Sequence, residues 1–333
     1  MNIEKISEVL VGQPAFRYKQ IQKSIYGDLI DNWDQATTLS KDLRQKLNQE
    51  CPLEINGEIK KTGDKKTLKA IITLLDNQKI ETVLMMHKDG RYTVCVSSQV
   101  GCALGCTFCA TGEMGYKRNL KTNEIIEQVI FFSRYIRKTY SPEDRVTNIV
   151  FMGMGEPMLN YDNVLAAVRI LNSEETFNIG ARKISISTSG ITEGIKKLAL
   201  EGIQVNLAIS LHAPNDKMRL KLMPISRKYK IDKIISTMDS YIEKTGRQVM
   251  IEYLLIKDSN DSIEAATELA ELLKGKLVVV NLIPCNPVGG NKPSPEYTIK
   301  KFKNILLRNG ITVTQRYTFG RDIDAACGQL AIK

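Results

Sequence analysis

The sequence predicts an α/β protein built on a partial (β/α) barrel, with a helical unit and a short β segment before it. Apolar segments rich in β-branched residues alternate with helical segments over residues 91–317. That alternation is typical of parallel strands connected by helices. Glycines and polar residues gather where the strand segments end, which is the edge that carries the active site in such barrels.

Residues 1–50 predict a helical accessory domain, because apolar residues recur there at helical spacing and Ser40 is a suitable N-cap. The pattern changes at Cys51, after which 67–75 and 79–87 predict strands separated by turn residues. We therefore divide the chain into three parts. These are a helical domain (1–50), a β linker (51–90) and a barrel that ends in a C-terminal cysteine segment (91–333).

The barrel part contains seven expected strands, at 91–98, 147–152, 182–188, 203–211, 248–256, 276–284 and 311–317. Helices are expected between them, from about Asn123 to Tyr140, after Asn160, from an N-cap at Thr192, after Tyr229, after Asp261, and from a cap at Ser294. This order predicts an open or closed parallel barrel.

The bulk properties bound the class of protein. No apolar run is long enough to span a bilayer and the N-terminus lacks a signal-peptide core, so we expect a cytoplasmic protein without membrane contact. Seven cysteines at irregular spacing then suit ligands, catalysts or packing better than a disulfide framework. Cys51 and Cys285 are expected to pack.

Positive charge is concentrated rather than spread. The net charge is +10, and residues 216–233 hold seven Lys or Arg against two Asp. Basic residues also bracket the cysteine run described next. A polyanion such as RNA is the partner that this distribution favours, with the N-terminal helices and 216–233 as contacts. A solvated face without a partner is the alternative.

Cys102, Cys106 and Cys109 form a C-x3-C-x2-C run in GCALGCTFCATGEMG. Thiolates bind soft metals, and three of them leave one iron of a cubane cluster open to a small molecule. The alternative is half of a zinc ribbon completed by distant ligands, although no paired C-x2-C motif follows. The spacing therefore favours an open iron–sulfur site.

Small and polar residues follow the later strands, in GMGEP, STSG, SLHAP and around Asn286. Taken together they predict a cofactor pocket above the metal, although each alone could be an ordinary turn. With the cysteine run and DIDAACGQL at 322–330, they resemble the radical S-adenosylmethionine (SAM) RNA adenine methyltransferases over nearly the whole chain.

The resemblance implies a radical-SAM partial (β/α)6 barrel with one [4Fe–4S] cluster and SAM as cofactors. Cys102, Cys106 and Cys109 would hold the cluster. The SAM contacts would be Gly155, Glu156, Ser187, Ser210, Leu211, His212 and Asn286.

The resemblance also implies the chemistry. Cys327 would carry a methyl group as S-methylcysteine, a 5′-deoxyadenosyl radical would activate it, and Glu81 would accept the proton of the adenine. Cys95 would then form a disulfide with Cys327 and release the RNA, so each turnover uses two SAM and a reductant. Without the resemblance, both cysteines would read as packing residues and Glu81 as a solvent-facing strand carboxylate.

The implied targets are C2 of an adenine in 23S rRNA, free or partly assembled, and C2 of the adenine next to the anticodon in tRNA. Methylation of C8, as in sister enzymes of the Cfr type, is the close alternative. A flavodoxin- or ferredoxin-type electron donor is the expected partner, and nothing demands more than a monomer. A zinc-ribbon RNA-binding protein and an activase for a glycyl radical are the competing classes.

Overall fold

The computed structural model describes residues 1–316 and 320–332 and arranges ten strands in one sheet. Its strands are β1 (Gly57–Lys61), β2 (Thr67–Thr73), β3 (Lys79–Met86), β4 (Tyr92–Cys95), β7 (Asn148–Phe151), β8 (Ile184–Thr188), β9 (Asn206–Ser210), β10 (Val249–Leu255), β11 (Val278–Pro284) and β12 (Thr312–Gln315). A separate antiparallel pair, β5 (Gln99–Gly101) and β6 (Tyr116–Asn119), brackets the cysteine run.

The barrel is the parallel part of this sheet. Strands β4, β7, β8, β9, β10, β11 and β12 are neighbours in chain order, and each adjacent pair is parallel. β1 and β12 lie at opposite ends of the strand order, so the barrel is open. The α/β partial barrel predicted from the alternation of strands and helices is confirmed. Its seven described parallel strands overlap the seven strand segments expected from the sequence, one more than the (β/α)6 barrel that the resemblance implies.

The helices are α1 (Ile6–Val9), α2 (Phe16–Gln22), α3 (Lys41–Glu50), α4 (Ala110–Glu113), α5 (Thr122–Thr139), α6 (Tyr161–Asn172), α7 (Thr192–Leu198), α8 (Asp216–Leu222), α9 (Ile231–Thr245), α10 (Ile263–Leu273) and α11 (Glu296–Arg308). The long ones connect successive barrel strands, as parallel neighbouring strands require. None of the described helices is long and apolar enough to cross a bilayer.

Apolar strand residues form the core. Val94, Ile149, Leu207, Ile251 and Val280 are all fully or almost fully buried. Both faces of a parallel sheet are covered when helices connect its strands, which is why β10 and β11 are buried over almost their whole length. β7 and β8 instead alternate buried and half-buried positions. Burying each such side chain stabilises the fold by roughly 1.5–3 kcal/mol.

The β linker extends the same sheet rather than standing apart from it. β1, β2 and β3 form an antiparallel meander, and β3 pairs with β4 so that Val83 lies opposite Cys95. β1 was not predicted, because its sequence, GEIKK, is too polar to show a strand pattern. A charged strand of this kind suits the exposed edge of a sheet.

Several element ends differ from their sequence predictions. The expected strand 91–98 stops at Cys95, and the following residues lead into β5. The N-caps of α7 and α11 are Ile191 and Pro295 rather than Thr192 and Ser294. Tyr317, the end of the last expected strand, lies outside the described residues. The N-terminal helices are present, and the Trp33 indole joins them to the chain beyond by donating to the Cys51 carbonyl at 2.7 Å.

Candidate active site

The cysteine run is a folded loop between β5 and β6. The Cys102 amide donates to the Gly115 carbonyl at 2.9 Å, and the Thr107 amide donates to the Leu222 carbonyl at 3.0 Å. Cys102, Cys106 and Cys109 are half-buried, free thiols that line one cavity of about 170 Å³ at the carboxyl edge of the barrel. The structure thus brings the three predicted ligands to one site.

The thiols of the cysteine run are hard to ionise in their buried positions. Burial raises the pKa of Cys102 to about 11 and that of Cys106 still further. A bound cationic centre would offset that cost, because metal ligands bind as thiolates. Among the described residues, no three His, Cys, Asp or Glu side chains converge on a single-ion site. Thiolates of an iron–sulfur cluster instead bind separate irons.

The GMGEP loop forms one wall of the cavity. Gly155 has φ +95°, and a Cβ there would lie 2.5 Å from the Gln99 Cβ, so glycine is required. The Glu156 carboxylate is buried and accepts from the Ser189 amide at 2.7 Å and the Met158 amide at 3.1 Å. Burial raises the pKa of Glu156, while these hydrogen bonds oppose the rise.

Ser187, Ser210 and His212 form the opposite wall. The two serine hydroxyls are 3.3 Å apart, and the His212 Nδ1 accepts from the Leu254 amide at 3.0 Å. Burial lowers the pKa of His212 to about 3, with the Arg219 charge adding to the effect. His212 is therefore neutral, and its proton is assigned to Nε2 because Nδ1 acts as an acceptor.

Two buried polar atoms in the cavity lining have no hydrogen-bond partner. They are the Ser189 hydroxyl and the Glu252 Oε1. Buried polar groups are almost always paired, so unpaired ones in a cavity suit a site whose partner is a bound polar molecule. The thiol set and these two atoms together fit a sulfur-ligated cluster with a polar cofactor beside it.

Leu211 and Asn286 are the two predicted cofactor contacts that do not line this cavity. Leu211 is fully buried, and its carbonyl accepts from the Arg219 Nε at 3.0 Å. The Asn286 amide nitrogen donates to the Cys327 carbonyl at 3.0 Å, and its oxygen accepts from the Arg321 Nε at 2.8 Å. Asn286 therefore holds the C-terminal segment in place.

Cys95 and Cys327 line a second, smaller cavity of about 30 Å³. Both are free thiols, and Cys327 also lines the larger cavity with the cysteine triplet. Burial raises the pKa of Cys95 to about 12. Cys327 thus lies between the loop of the cysteine run on one side and Cys95 on the other. Cys95 and Cys327 are nevertheless 232 positions apart in the chain (327 − 95).

Glu81 is buried rather than solvent-facing, with 1% of its side chain exposed. Its Oε1 forms an ion pair with the Lys69 Nζ at 3.0 Å, and its Oε2 has no partner. Burial raises the pKa of Glu81, and Lys69 opposes that rise. The structure places Glu81 on β3 two residues before Val83, which lines the cavity of the two cysteines.

Three charged residues of the site were missed or misread in the sequence. Arg219 was grouped with the basic run as an RNA contact, but it is fully buried and donates to the carbonyls of Ser189, Ser210, Leu211 and Tyr229. Glu252 and Arg316 both line the larger cavity. A carboxylate inside the otherwise apolar VMIEYLL strand was the available signal for Glu252.

An open parallel barrel with a C-x3-C-x2-C loop and a polar cavity at its carboxyl edge defines a radical SAM enzyme. The family model of the radical SAM superfamily matches residues 96–270, and that of the ribosomal RNA large subunit methyltransferase N-terminal domain matches residues 4–53. Enzymes of this superfamily use a [4Fe–4S] cluster and SAM.

The curated relatives are full-length matches. A probable dual-specificity RNA methyltransferase RlmN from Dictyoglomus thermophilum is 48% identical over 99% of this chain and 94% of its own. The RlmN of Thermotoga neapolitana is 45% identical over 99% and 95%. A radical SAM methyltransferase from Sphaerobacter thermophilus superposes with a TM-score of 0.93 at 46% identity, covering 99% of this chain and 97% of its own. The chain belongs to the RlmN family of radical SAM RNA methyltransferases.

Proposed function

We propose that this enzyme methylates C2 of a specific adenine in 23S rRNA and of the adenine next to the anticodon in tRNA. The observation that carries the proposal is the placement of Cys327, which lines both the cavity of the cysteine triplet and the cavity of Cys95. The relatives' names, dual-specificity RNA methyltransferase, support RNA as the substrate and two RNAs as targets.

The cofactors fit the residues present. Cys102, Cys106 and Cys109 would hold the cluster. The residues that would surround SAM are Gly155, Glu156, Ser187, Ser210, Leu211, His212 and Asn286. Five of them line the cavity, whereas Leu211 and Asn286 do not and would support the pocket through their contacts with Arg219 and with the C-terminal segment. When bound, the cluster and SAM supply the one-electron chemistry that an electron-poor C2 carbon requires.

Three side chains would act on the transferred group and the base. Cys327 carries the methyl group, as a thiol on a solvent-reachable segment can. Glu81 takes the C2 proton on its unpartnered Oε2. The Cys95 thiolate then attacks the Cys327 sulfur, so that a disulfide forms as the carbon–sulfur bond to the RNA product breaks. The released carbon keeps the electron pair and takes a proton, which completes the methyl group. An external reductant restores both thiols. An electron donor of the flavodoxin or ferredoxin type is the partner expected to supply the one-electron chemistry.

The RNA would bind over the basic run beside the cysteine loop. Lys217, Lys221, Arg227, Lys228, Lys230 and Lys233 are exposed there. The Leu222 carbonyl binds the Thr107 amide, so this surface adjoins the mouth of the site. Phe16 and Tyr18, exposed beside Arg17 and Lys19, offer stacking positions on the N-terminal helices.

The division of the chain into 1–50, 51–90 and 91–333 is proposed on the same basis. The two family models match within the first and third parts except for three residues past the first boundary. We expect the first part to contact RNA, the second to support Glu81, and the third to hold the cofactors. A monomer suffices for all three.

One experiment tests the function. Anaerobic turnover of the cofactor-loaded protein with methyl-labelled SAM and each RNA should yield labelled 2-methyladenosine by mass spectrometry of the digested nucleosides. The Cys327→Ala variant should lose at least about a thousandfold of this activity, as removing a covalent nucleophile does. The Cys285→Ala variant, which removes a packing thiol, is the control. Labelled 8-methyladenosine would place the enzyme in the Cfr-type branch, and unlabelled RNA would overturn the proposal.

A further inference from the structure

We propose that Lys69 is a positioning residue that joins the proton acceptor Glu81 to the tail that carries Cys327. This inference rests on the proposed function and names a residue to which neither the sequence nor the resemblance gives a role. The tail is defined here as residues 320–332.

Lys69 reaches both partners from β2. Its Nζ lies 3.0 Å from the Glu81 Oε1 and 3.2 Å from the Asp324 carbonyl oxygen. Lys69 pairs with Val83 across β2 and β3, so Glu81 is its diagonal neighbour on the same face of the sheet. One ammonium group therefore bridges the sheet and the backbone of the tail, three residues before Cys327.

The Lys69–Glu81 ion pair is almost completely buried, and a contribution to stability does not explain this burial. Only 5% of the Lys69 side chain and 1% of the Glu81 side chain are exposed. The free energy of removing two charges from water often exceeds the electrostatic attraction that the buried pair gains. Apolar residues of similar size often stabilise a fold at least as well. A buried ion pair beside a reacting cysteine is better explained by what the charges do there.

The first task of Lys69 is to keep Glu81 ionised. A buried carboxyl favours its neutral form, and a neutral Glu81 could not accept a proton. The charged groups that face Glu81 are Lys69 from β2 and Lys60 from β1, together with the backbone of the tail at Ala331, and all three favour the carboxylate. Since Lys69 occupies Oε1, Oε2 is left free as the acceptor.

The second task is to fix the tail against the sheet. The tail is also held by the Gly63 amide, which donates to the Asp322 Oδ2 at 3.2 Å, and by the Ala110 amide, which donates to the Gly328 carbonyl at 2.7 Å. The Thr111 hydroxyl donates to the Leu330 carbonyl at 2.6 Å. Lys69 ties the tail backbone at Asp324 to Glu81, which the tail backbone also contacts at Ala331, so the acceptor and the methyl carrier share one anchor.

Three variants of the cofactor-loaded enzyme separate the two tasks from a simple structural role. Lys69→Met removes the charge and the hydrogen bonds, Lys69→Arg keeps both, and Lys69→Met combined with Glu81→Gln restores a neutral pair that should fold. The first measurement is the rate at which Cys327 is alkylated by iodoacetamide, read by peptide mass mapping. Lys69→Met and the double variant should react severalfold faster than wild type, and Lys69→Arg should not.

The second measurement is the pH dependence of single-turnover methyl transfer from enzyme whose Cys327 is already methylated. Loss of Lys69 raises the pKa of Glu81, so the acid limb of the Lys69→Met profile should move to higher pH and the rate at pH 7 should fall at least about tenfold. Lys69→Arg should return the acid limb of the profile to its wild-type pH. The double variant should be inactive at every pH.

An unchanged pH profile together with unchanged alkylation in Lys69→Met overturns the proposal, as does a failure of Lys69→Arg to restore either. If Lys69→Met does not fold, wild-type alkylation rates in the folded double variant overturn it as well. The alkylation measurement needs no RNA, so it tests Lys69 even if wild-type enzyme methylates neither RNA, an outcome that would count against the proposed function alone.

Discussion

His212 shows how a polar residue is fixed at the site by its backbone as well as by its side chain. It has φ +59°, a left-handed conformation that is uncommon outside glycine and that asparagine, aspartate and histidine adopt more often than other residues do. Its ring packs edge-on against Phe108 at 4.9 Å, and Phe108 lies within the cysteine run. A strained backbone held by buried contacts is a common feature of ligand sites.

The depressed pKa of His212 predicts a pH-dependent stability. Because the fold favours the neutral ring, the stabilisation is fully present above pH 6.5 and is lost as the pH falls towards 3. His212→Asn keeps an acceptor for the Leu254 amide and tolerates positive φ. Urea unfolding from pH 7 to 5 should show wild type losing about 1 kcal/mol per pH unit more than this variant. Parallel pH curves for the two proteins would contradict the assignment.

Residue chemistry made part of the site predictable. The spacing of the three thiols and the glycine-rich turn can be recognised in the sequence itself. The structure does bring Cys102, Cys106, Cys109 and Glu156 to one cavity. Arg219 could not be predicted, because nothing in a run of basic residues shows which one faces inward. Its burial depends on the carbonyl groups of Ser189, just after β8, and Ser210, at the end of β9, which come together only in the folded barrel.

At the scale of elements, the β5–β6 pair is the device that shapes the cysteine loop. A Cβ at Gly101, which has φ +76°, would lie 1.9 Å from the Gly115 carbonyl oxygen. No side chain can occupy that position without moving the strand pair. The sequence did not predict this pair, because strands of three and four residues are too short for a periodic pattern.

Gly101→Ala should therefore displace the loop and reduce cofactor loading. We expect iron and sulfide per chain to fall below about half of the wild-type content, since misplaced ligands typically lower metal affinity 10–100-fold. Far-ultraviolet circular dichroism should remain that of a folded protein. Gly180→Ala is the matched control, because Gly180 has no positive φ and a Cβ there meets nothing within 4 Å. Normal iron in Gly101→Ala would show that the pair is dispensable.

The basic surface on and after α8 carries a second prediction at this scale. Lys217→Glu combined with Lys221→Glu should weaken RNA binding by roughly tenfold or more. It should also reduce the slope of log Kd against log salt concentration by about two. Lys244→Glu with Lys274→Glu is the control of equal charge, since both lysines are exposed and precede β10 and β11 at the opposite edge. Equal losses in the two double variants, measured by fluorescence anisotropy, would point to net charge rather than to a docking surface.

Over the whole molecule, the antiparallel extension and the C-terminal tail enclose the parallel barrel's reacting edge. The barrel could be predicted because strand and helix segments alternate over residues 91–317. The packing of the antiparallel extension and the C-terminal tail at this edge could not be predicted. It depends on contacts such as that between Gly63 and Asp322, which are 259 positions apart. Sequence patterns report local periodicity, whereas such closure is decided by how distant segments pack.

The same closure predicts a stability difference between the two redox forms of the enzyme. A Cys95–Cys327 disulfide would close a loop of most of the chain and, by the loop-entropy estimate, stabilise the fold by up to about 5 kcal/mol. Protein reduced beforehand and then stalled after one turnover without further reductant should be lighter by two hydrogens, by intact mass, than the dithiothreitol-treated form. It should also unfold at a higher urea concentration. Cys95→Ala removes the disulfide, so its two preparations should unfold together. Equal urea midpoints for the two wild-type forms, despite the mass difference, would mean that the bond strains the barrel it closes.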